Sequence, residues 1–173
     1  MGIKKSSALL LLIVFNSIMV RAQTNWIKQQ LDNRVAVKFP VVPKMITQGG
    51  NIVYKGTDKD SVIYSASTID FDVVAHLDSA KLAPMKDTQQ FADGLKTGMS
   101  SSAKAYEFGD VIMGKWNGYS SYNITGKNVA KHTKIFVLII LVGSKGYYLS
   151  SLVPDGLSPK CKDDYFSMVE LVH

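Results

Sequence analysis

The chain has 173 residues with 20 Lys or Arg, 14 Asp or Glu and a net charge of +6; 46% of its residues are hydrophobic and one is a cysteine. The length suits one domain large enough to bury a real core, and the basic residues are spread singly among acids and aromatics, which excludes the basic stripe of a nucleic-acid binder. A single cysteine, Cys161, excludes an internal disulfide, so the fold must stand on packing, with Cys161 either buried and inert or available to a second chain.

The chain opens MGIKKSSALLLLIVFNSIMVRAQT. Lys4 and Lys5 precede an apolar stretch from Ala8 to Val20, and small residues at Val20 and Ala22 suit a signal peptidase. The expectation is a secretory signal over residues 1–22, cut between Ala22 and Gln23. Interrupted by Asn16 and Ser17, the stretch falls short of the roughly 20 residues that span a bilayer. No cysteine near the cut could carry a lipid. Removing Lys4, Lys5 and Arg21 lowers the net charge to +3, so much of the basicity belongs to the export segment. Residues 23–173 are expected to form one exported domain, periplasmic or extracellular, without a membrane span.

In RVAVKFP, Val35, Val37 and Phe39 alternate with Ala36 and Lys38 and stop at Pro40, a strand. VVPKMITQGGN reads as a loop, and NIVYKGTDKDSVIYSASTIDF as two strands around a polar turn from Gly56 to Ser61, the three strands together opening an antiparallel meander. Residues 73–85, with no clear period, read as a linker with room for one helical turn. In KDTQQFADGLKTGMSS, Phe91, Leu95 and Met99 recur along one stripe, which predicts a helix from about Thr88 to Ser100 with Asp87 as its cap. Gly94 and Gly98 weaken such a helix by about 1 kcal/mol each relative to alanine; a close approach of helix to sheet would account for them, the alternative being that they simply loosen an exposed turn.

YEFGDVIM and YSSYNIT flank GKWNG as a hairpin. KIFVLIILV then carries eight apolar residues from Ile135 to Val142, too few for a membrane helix. With GSKG as a four-residue turn and YYLSSLV returning, it reads as a second hairpin. A strand apolar on both faces must be covered on both faces, which calls for a second helix. SPKCKDDYFSMVELVH supplies one, with Ser158 as cap, Pro159 at the first helical position, and Tyr165 and Phe166 turned inward. Residues 168–172 could continue that helix or form a short final strand.

This order of elements resembles the PsbP-like fold shared with the nuclear Ran-binding Mog protein and with small exported bacterial proteins. Trp26 followed by VAVKFPVVPK resembles the opening strand of that family, and FADGLKTGM its glycine-containing helix. WNGYSSYNITG resembles its aromatic turn, KIFVLIILVGSKGYYLSSLVPDG its long hairpin, and DDYFSMVEL its closing pair of aromatics. The resemblance implies an α+β domain, an antiparallel sheet of about six strands between helices in an α/β/α sandwich. It favours a final strand at residues 168–172 and implies non-enzymatic roles. The export signal excludes Ran as a partner.

Chemical motifs are sparse. Asp70, Asp72 and His76 in IDFDVVAH form the best metal or catalytic cluster, with the two aspartates on one strand face, but the site is incomplete and reads rather as a solvated strand end leading into a loop. TDKDS lacks the glycine and distal Glu of a calcium loop and reads as a plain turn. GYSSY lacks the second glycine of a nucleophile elbow. No resident metal or cofactor is expected. Trp116, Tyr119 and Tyr122 around GKWNG are the most ligand-like group, since an exposed aromatic at a loop tip can stack a sugar or anchor a partner. Tyr119 and Tyr122 point to opposite faces, so one of them belongs to the core.

These readings converge on a non-catalytic accessory or binding protein of the cell envelope, with Trp116 and Tyr119 meeting an envelope protein or a small ligand. The alternative is an envelope hydrolase or metal-dependent enzyme built on Asp70, Asp72 and His76.

Overall fold

A computed structural model describes residues 26–172; the signal segment expected at residues 1–22 lies outside the described residues. In chain order the strands are β1 (Ile27–Gln30), β2 (Val35–Phe39), β3 (Lys44–Gln48), β4 (Asn51–Thr57), β5 (Ile63–Asp70), β6 (Glu107–Phe108), β7 (Ile112–Trp116), β8 (Tyr119–Asn128), β9 (Thr133–Val142), β10 (Lys145–Pro154) and β11 (Val169–Leu171). The helices are α1 (Phe71–Ala75), α2 (Ser79–Leu82), α3 (Gln89–Ser102) and α4 (Lys160–Phe166). No described helix is long and apolar enough to cross a membrane.

The apolar run from Ile135 to Val142 lies in β9 and returns through β10, with Val142 opposite Lys145. The connection is therefore the two residues Gly143-Ser144, not the expected four. Gly143 has φ +66°, a conformation that glycine adopts without strain. β9 is central, paired to β10 on one side and β8 on the other. Its side chains divide as an all-apolar strand must: Val137, Ile139 and Leu141 enter one core, Leu138, Ile140 and Val142 the other.

Those two cores have different lids. α3 covers the first, contributing Ala92 and Leu95. The second is closed by a three-stranded sheet in the order β1-β2-β11, together with Tyr165 of α4. The expected sandwich of a sheet between helices is corrected on that face: a small sheet does most of the covering. β2 belongs to this small sheet, where it pairs with β1 and β11, and not to the meander expected to follow it. Its run Val35-Ala36-Val37 is fully buried, as a central strand with cover on both faces requires.

The main sheet has eight strands rather than about six, in the order β3-β4-β5-β10-β9-β8-β6, with β7 also on β8. The strands missed by periodicity are β1 in the small sheet and β3 in this one. All five residues of β3 are exposed, so no buried face imposes an alternation on Lys-Met-Ile-Thr-Gln. The segment read as a linker holds α1 and α2, capped by Asp70 and Asp78. The closing segment ends in strand β11, as the resemblance favours.

α4 starts one residue later than expected. Pro159 sits at the cap, and the Ser158 hydroxyl accepts only the Lys160 amide, at 3.3 Å. Tyr165 is fully buried and Phe166 partly so.

Candidate functional site

α3 begins at Thr88, whose hydroxyl accepts the Phe91 amide at 3.3 Å. Asp87, the expected cap, turns instead to Lys115 and Ser120, each at 2.7 Å. Lys115 foremost, with Ser120, holds its carboxyl below the usual range. These contacts join the start of α3 to the β7–β8 hairpin. On the buried stripe, Ala92 and Leu95 are enclosed, with Phe91 and Met99 packed beside them.

Gly94 and Gly98 do not bring the helix close to the sheet. A Cβ built at either meets nothing within 4 Å, which overturns the close-approach reading. Both open onto a groove of about 500 Å³ between α3 and the β3–β4–β5 end of the main sheet. Val53, Ser65, Ser67, Ile69 and Tyr148 form its floor, Leu95 and Met99 its roof, and Gln48 and Asn51 its rim. The Ser65 and Ser150 hydroxyls bond to each other at 2.7 Å. Phe71, Gly94 and Leu95 continue the groove into a second recess of about 340 Å³ beside Met85 and Phe91. Its lining carries no charged side chain. Burial pushes the Tyr148 phenol up to about 12, so it stays neutral at physiological pH.

Such a lining, apolar with a few hydroxyls and amides, suits an uncharged or amphipathic ligand body. It offers no nucleophile with an adjacent base. Gly94→Ala and Gly98→Ala should each stabilise the protein by about 0.5–1 kcal/mol in urea unfolding, because the helical backbone is retained and the added methyl finds open space.

The residues singled out in the sequence lie elsewhere. Trp116 and Tyr119 face each other across the turn Asn117-Gly118, whose φ values of 47° and 82° are those of a two-residue hairpin turn. Their rings lie 6.5 Å apart, partly buried against the core on the small-sheet side. Tyr122 points the opposite way, is 1% exposed, and donates its hydroxyl to the Lys86 carbonyl. The three aromatics therefore share no surface.

Asp70, Asp72 and His76 do not form a site. The strand ends at Asp70, which caps α1 by accepting the Asp72 amide at 3.1 Å and also accepts the Ser144 hydroxyl at 3.0 Å. Asp72 is thus on a helix, not on the strand face expected for it, and His76 closes that helix in a left-handed conformation. Among the described residues no three His, Cys, Asp or Glu side chains gather to hold a metal. That removes the only site on which the hydrolase or metal-enzyme alternative rested.

Two other features are structural. The Asp58 carboxylate closes the TDKDS turn on the amides of Asp60 and Val62, both at 2.9 Å. Cys161 is partly buried, burial raises its thiol, and the thiol points to the Ser158 carbonyl at 3.5 Å.

The groove was not read from the sequence. The available signal was the pair Gly94 and Gly98, four residues apart on one helical face, but that spacing serves a tight interface and an open recess equally.

No family model matches the chain, and no curated protein matches it. Among solved structures it is similar to cyanobacterial PsbP (CyanoP) from Synechocystis sp. PCC 6803, with 13% identity over 79% of this chain and 86% of that one and a TM-score of 0.57. It is also similar to a structure from Bacteroides thetaiotaomicron, at 10% identity and a TM-score of 0.43, over 82% of this chain and 49% of that one. The first superposition establishes the fold: the chain is PsbP-like.

Proposed function

We propose that this PsbP-like chain is an exported, non-catalytic binding protein of the cell envelope, periplasmic or extracellular, that takes up the apolar part of a ligand or partner between α3 and the β3–β5 end of its sheet. The observation that carries the reading is the groove itself: continuous, uncharged, and bordered by two glycines where alanine would give a better helix. A helix that forgoes about 1 kcal/mol at each of two positions, with no packing gained in return, is consistent with selection for the space those positions leave. Export rests on the layout of residues 1–22. The Trp116–Tyr119 pair, partly exposed at its hairpin tip, is proposed as a second point of contact with a partner.

The test is a titration of the protein with 8-anilinonaphthalene-1-sulfonate, comparing wild type with Gly98→Leu. Wild type should show saturable fluorescence enhancement, and Gly98→Leu, which fills the groove from its roof, should lose most of it while unfolding at an unchanged or higher urea concentration. Equal titration curves for the two proteins would sink the groove reading. Export is checked separately by mass spectrometry of the envelope fraction, where a mature N-terminus at Gln23 is expected.

A further inference from the structure

The main sheet ends differently at its two edges. At one, β6 and β7 form a broken edge along β8. Phe108 pairs with Gly126 and Ile112 with Asn123, so the register slips by one residue between them, and the Gly109 amide reaches the Thr125 carbonyl at 2.9 Å. That is a bulge, and Asp110 within it is fully exposed beside Lys96. Bulges and charges blunt an edge against further pairing.

The other edge, β3, has no bulge, and Lys44 at its start, just after Pro43, is its one charged residue. It pairs with β4 in unbroken register from Lys44↔Lys55 to Gln48↔Asn51, and its outer side meets no strand among the described residues. Met45 is 66% exposed and Ile46 38%. Cross-strand pairs place Lys44, Ile46 and Gln48 on the same face as Lys55, Val53 and Asn51, the face that holds the groove.

Lys44 and Lys55 stand directly opposite each other. Like charges so placed are destabilising. The hairpin from residue 44 to 57 contains no Asp or Glu, and neither lysine enters an ion pair among the described residues. An anionic group set against both would convert the repulsion into attraction.

We infer that the β3 edge takes up an extended segment of a partner protein as an added strand, with an acidic side chain set against Lys44 and Lys55 and an apolar side chain two residues away entering the groove beside Ile46. The period of two along a strand puts both side chains on the groove face, and the backbone groups of β3 supply the affinity in the manner of strand addition. This inference rests on the groove reading above and names the class of partner. A second copy of the chain fits less well. Symmetric pairing of β3 about Ile46 sets Lys44 against Gln48 and leaves the lysine pair uncompensated, and five residues bury far less than the roughly 1,200–2,000 Å² of a stable interface.

The experiment selects peptides from a random twelve-residue phage-displayed library on the immobilised protein, then measures fluorescein-labelled winners by anisotropy. The expected winners carry an acidic residue two positions from an apolar one. Lys44→Glu/Lys55→Glu keeps a like-charge pair in place, so its urea midpoint serves as a check on folding. It should weaken the winners at least about tenfold and should bind versions in which the acid is replaced by Lys. Hydrogen exchange should slow along residues 44–48 when peptide is added.

Winners without acids, or winners indifferent to the charge reversal, overturn the inference. Recovery of no specific peptide does the same. Winners that displace 8-anilinonaphthalene-1-sulfonate without protecting residues 44–48 overturn the strand addition and leave the groove standing. Concentration-dependent dimerisation that protects residues 44–48 without peptide would make the occupant a second copy and also overturn it.

Discussion

Tyr165→Ala is expected to cost about 4 kcal/mol and, for a domain of this size, to lower Tm by about 12 °C. The ring is fully buried and stands where three elements meet. It lies 5.3 Å from Phe39 of the small sheet, 5.1 Å from Tyr64 of the main sheet and 5.9 Å from Phe166 on its own helix. Removing it opens a cavity that none of the three can close without moving a whole element, so the full cost of aromatic truncation is expected. The hydroxyl also donates to the Ser65 carbonyl at 3.0 Å, and burial keeps it neutral by raising its pKa well above the usual tyrosine value. Tyr165→Phe isolates that bond and should cost about 1 kcal/mol. Urea unfolding of the two variants separates packing from hydrogen bonding; a Tyr165→Ala loss no greater than that of Tyr165→Phe would contradict the three-element role.

Asp32→Asn is expected to cost about 2 kcal/mol at pH 7, and the loss should vanish at low pH. Asp32 lies in the loop between β1 and β2, its side chain 15% exposed, and it ties the small sheet to the main one. One carboxylate oxygen accepts the amides of Arg34 at 2.8 Å and Val35 at 3.1 Å. The other accepts the Tyr147 hydroxyl at 2.7 Å and the Lys145 ammonium at 2.9 Å. Burial by itself raises the carboxyl, but the Tyr147 hydroxyl, the Arg34 amide, Lys145 and the Val35 amide together outweigh it and bring it from 3.8 down to about 2.

A depressed carboxyl stabilises the fold above its unfolded value, near pH 4, and that contribution fades as the pH falls toward 2. Wild type should therefore lose stability over that interval faster than Asp32→Asn, and the two urea midpoints should converge near pH 2. Curves that stay parallel across the interval would show that Asp32 is not the titrating group.

Strands with a buried face announced themselves. Val35, Val37 and Phe39 alternate, and Ile135 to Val142 is apolar throughout because both its faces are covered. The helix stripe Phe91, Leu95, Met99 was legible for the same reason. β3 was not, since an edge strand with neither face enclosed carries no period for selection to maintain. Nor was the partner of β2. Alternation tells which side of a strand is buried, never which strand lies beside it, so a strand read into the meander pairs instead with β1 and with β11, more than 130 residues later in the chain.

The candidate site was less legible than the fold. Trp116 and Tyr119 stood out by residue type, yet the pleat turns both toward the small-sheet core. Asp70, Asp72 and His76 stood out by spacing, but spacing assumed a strand, and the chain turns into α1 at Phe71. The groove has no motif because it is a gap between a helix and a sheet, made by residues drawn from β3, β4, β5, β10 and α3.

The sequence by itself determined the local matters: the two hairpins, the amphipathic helix and the need to cover β9 on both faces. Each of those rests on periods and turn residues within about a dozen positions of one another. Only the tertiary structure decided what does the covering, which edge stays open, and that Gly94 and Gly98 look into space. Those outcomes depend on contacts between segments far apart in the chain, where the side chains of one element set the room left for another.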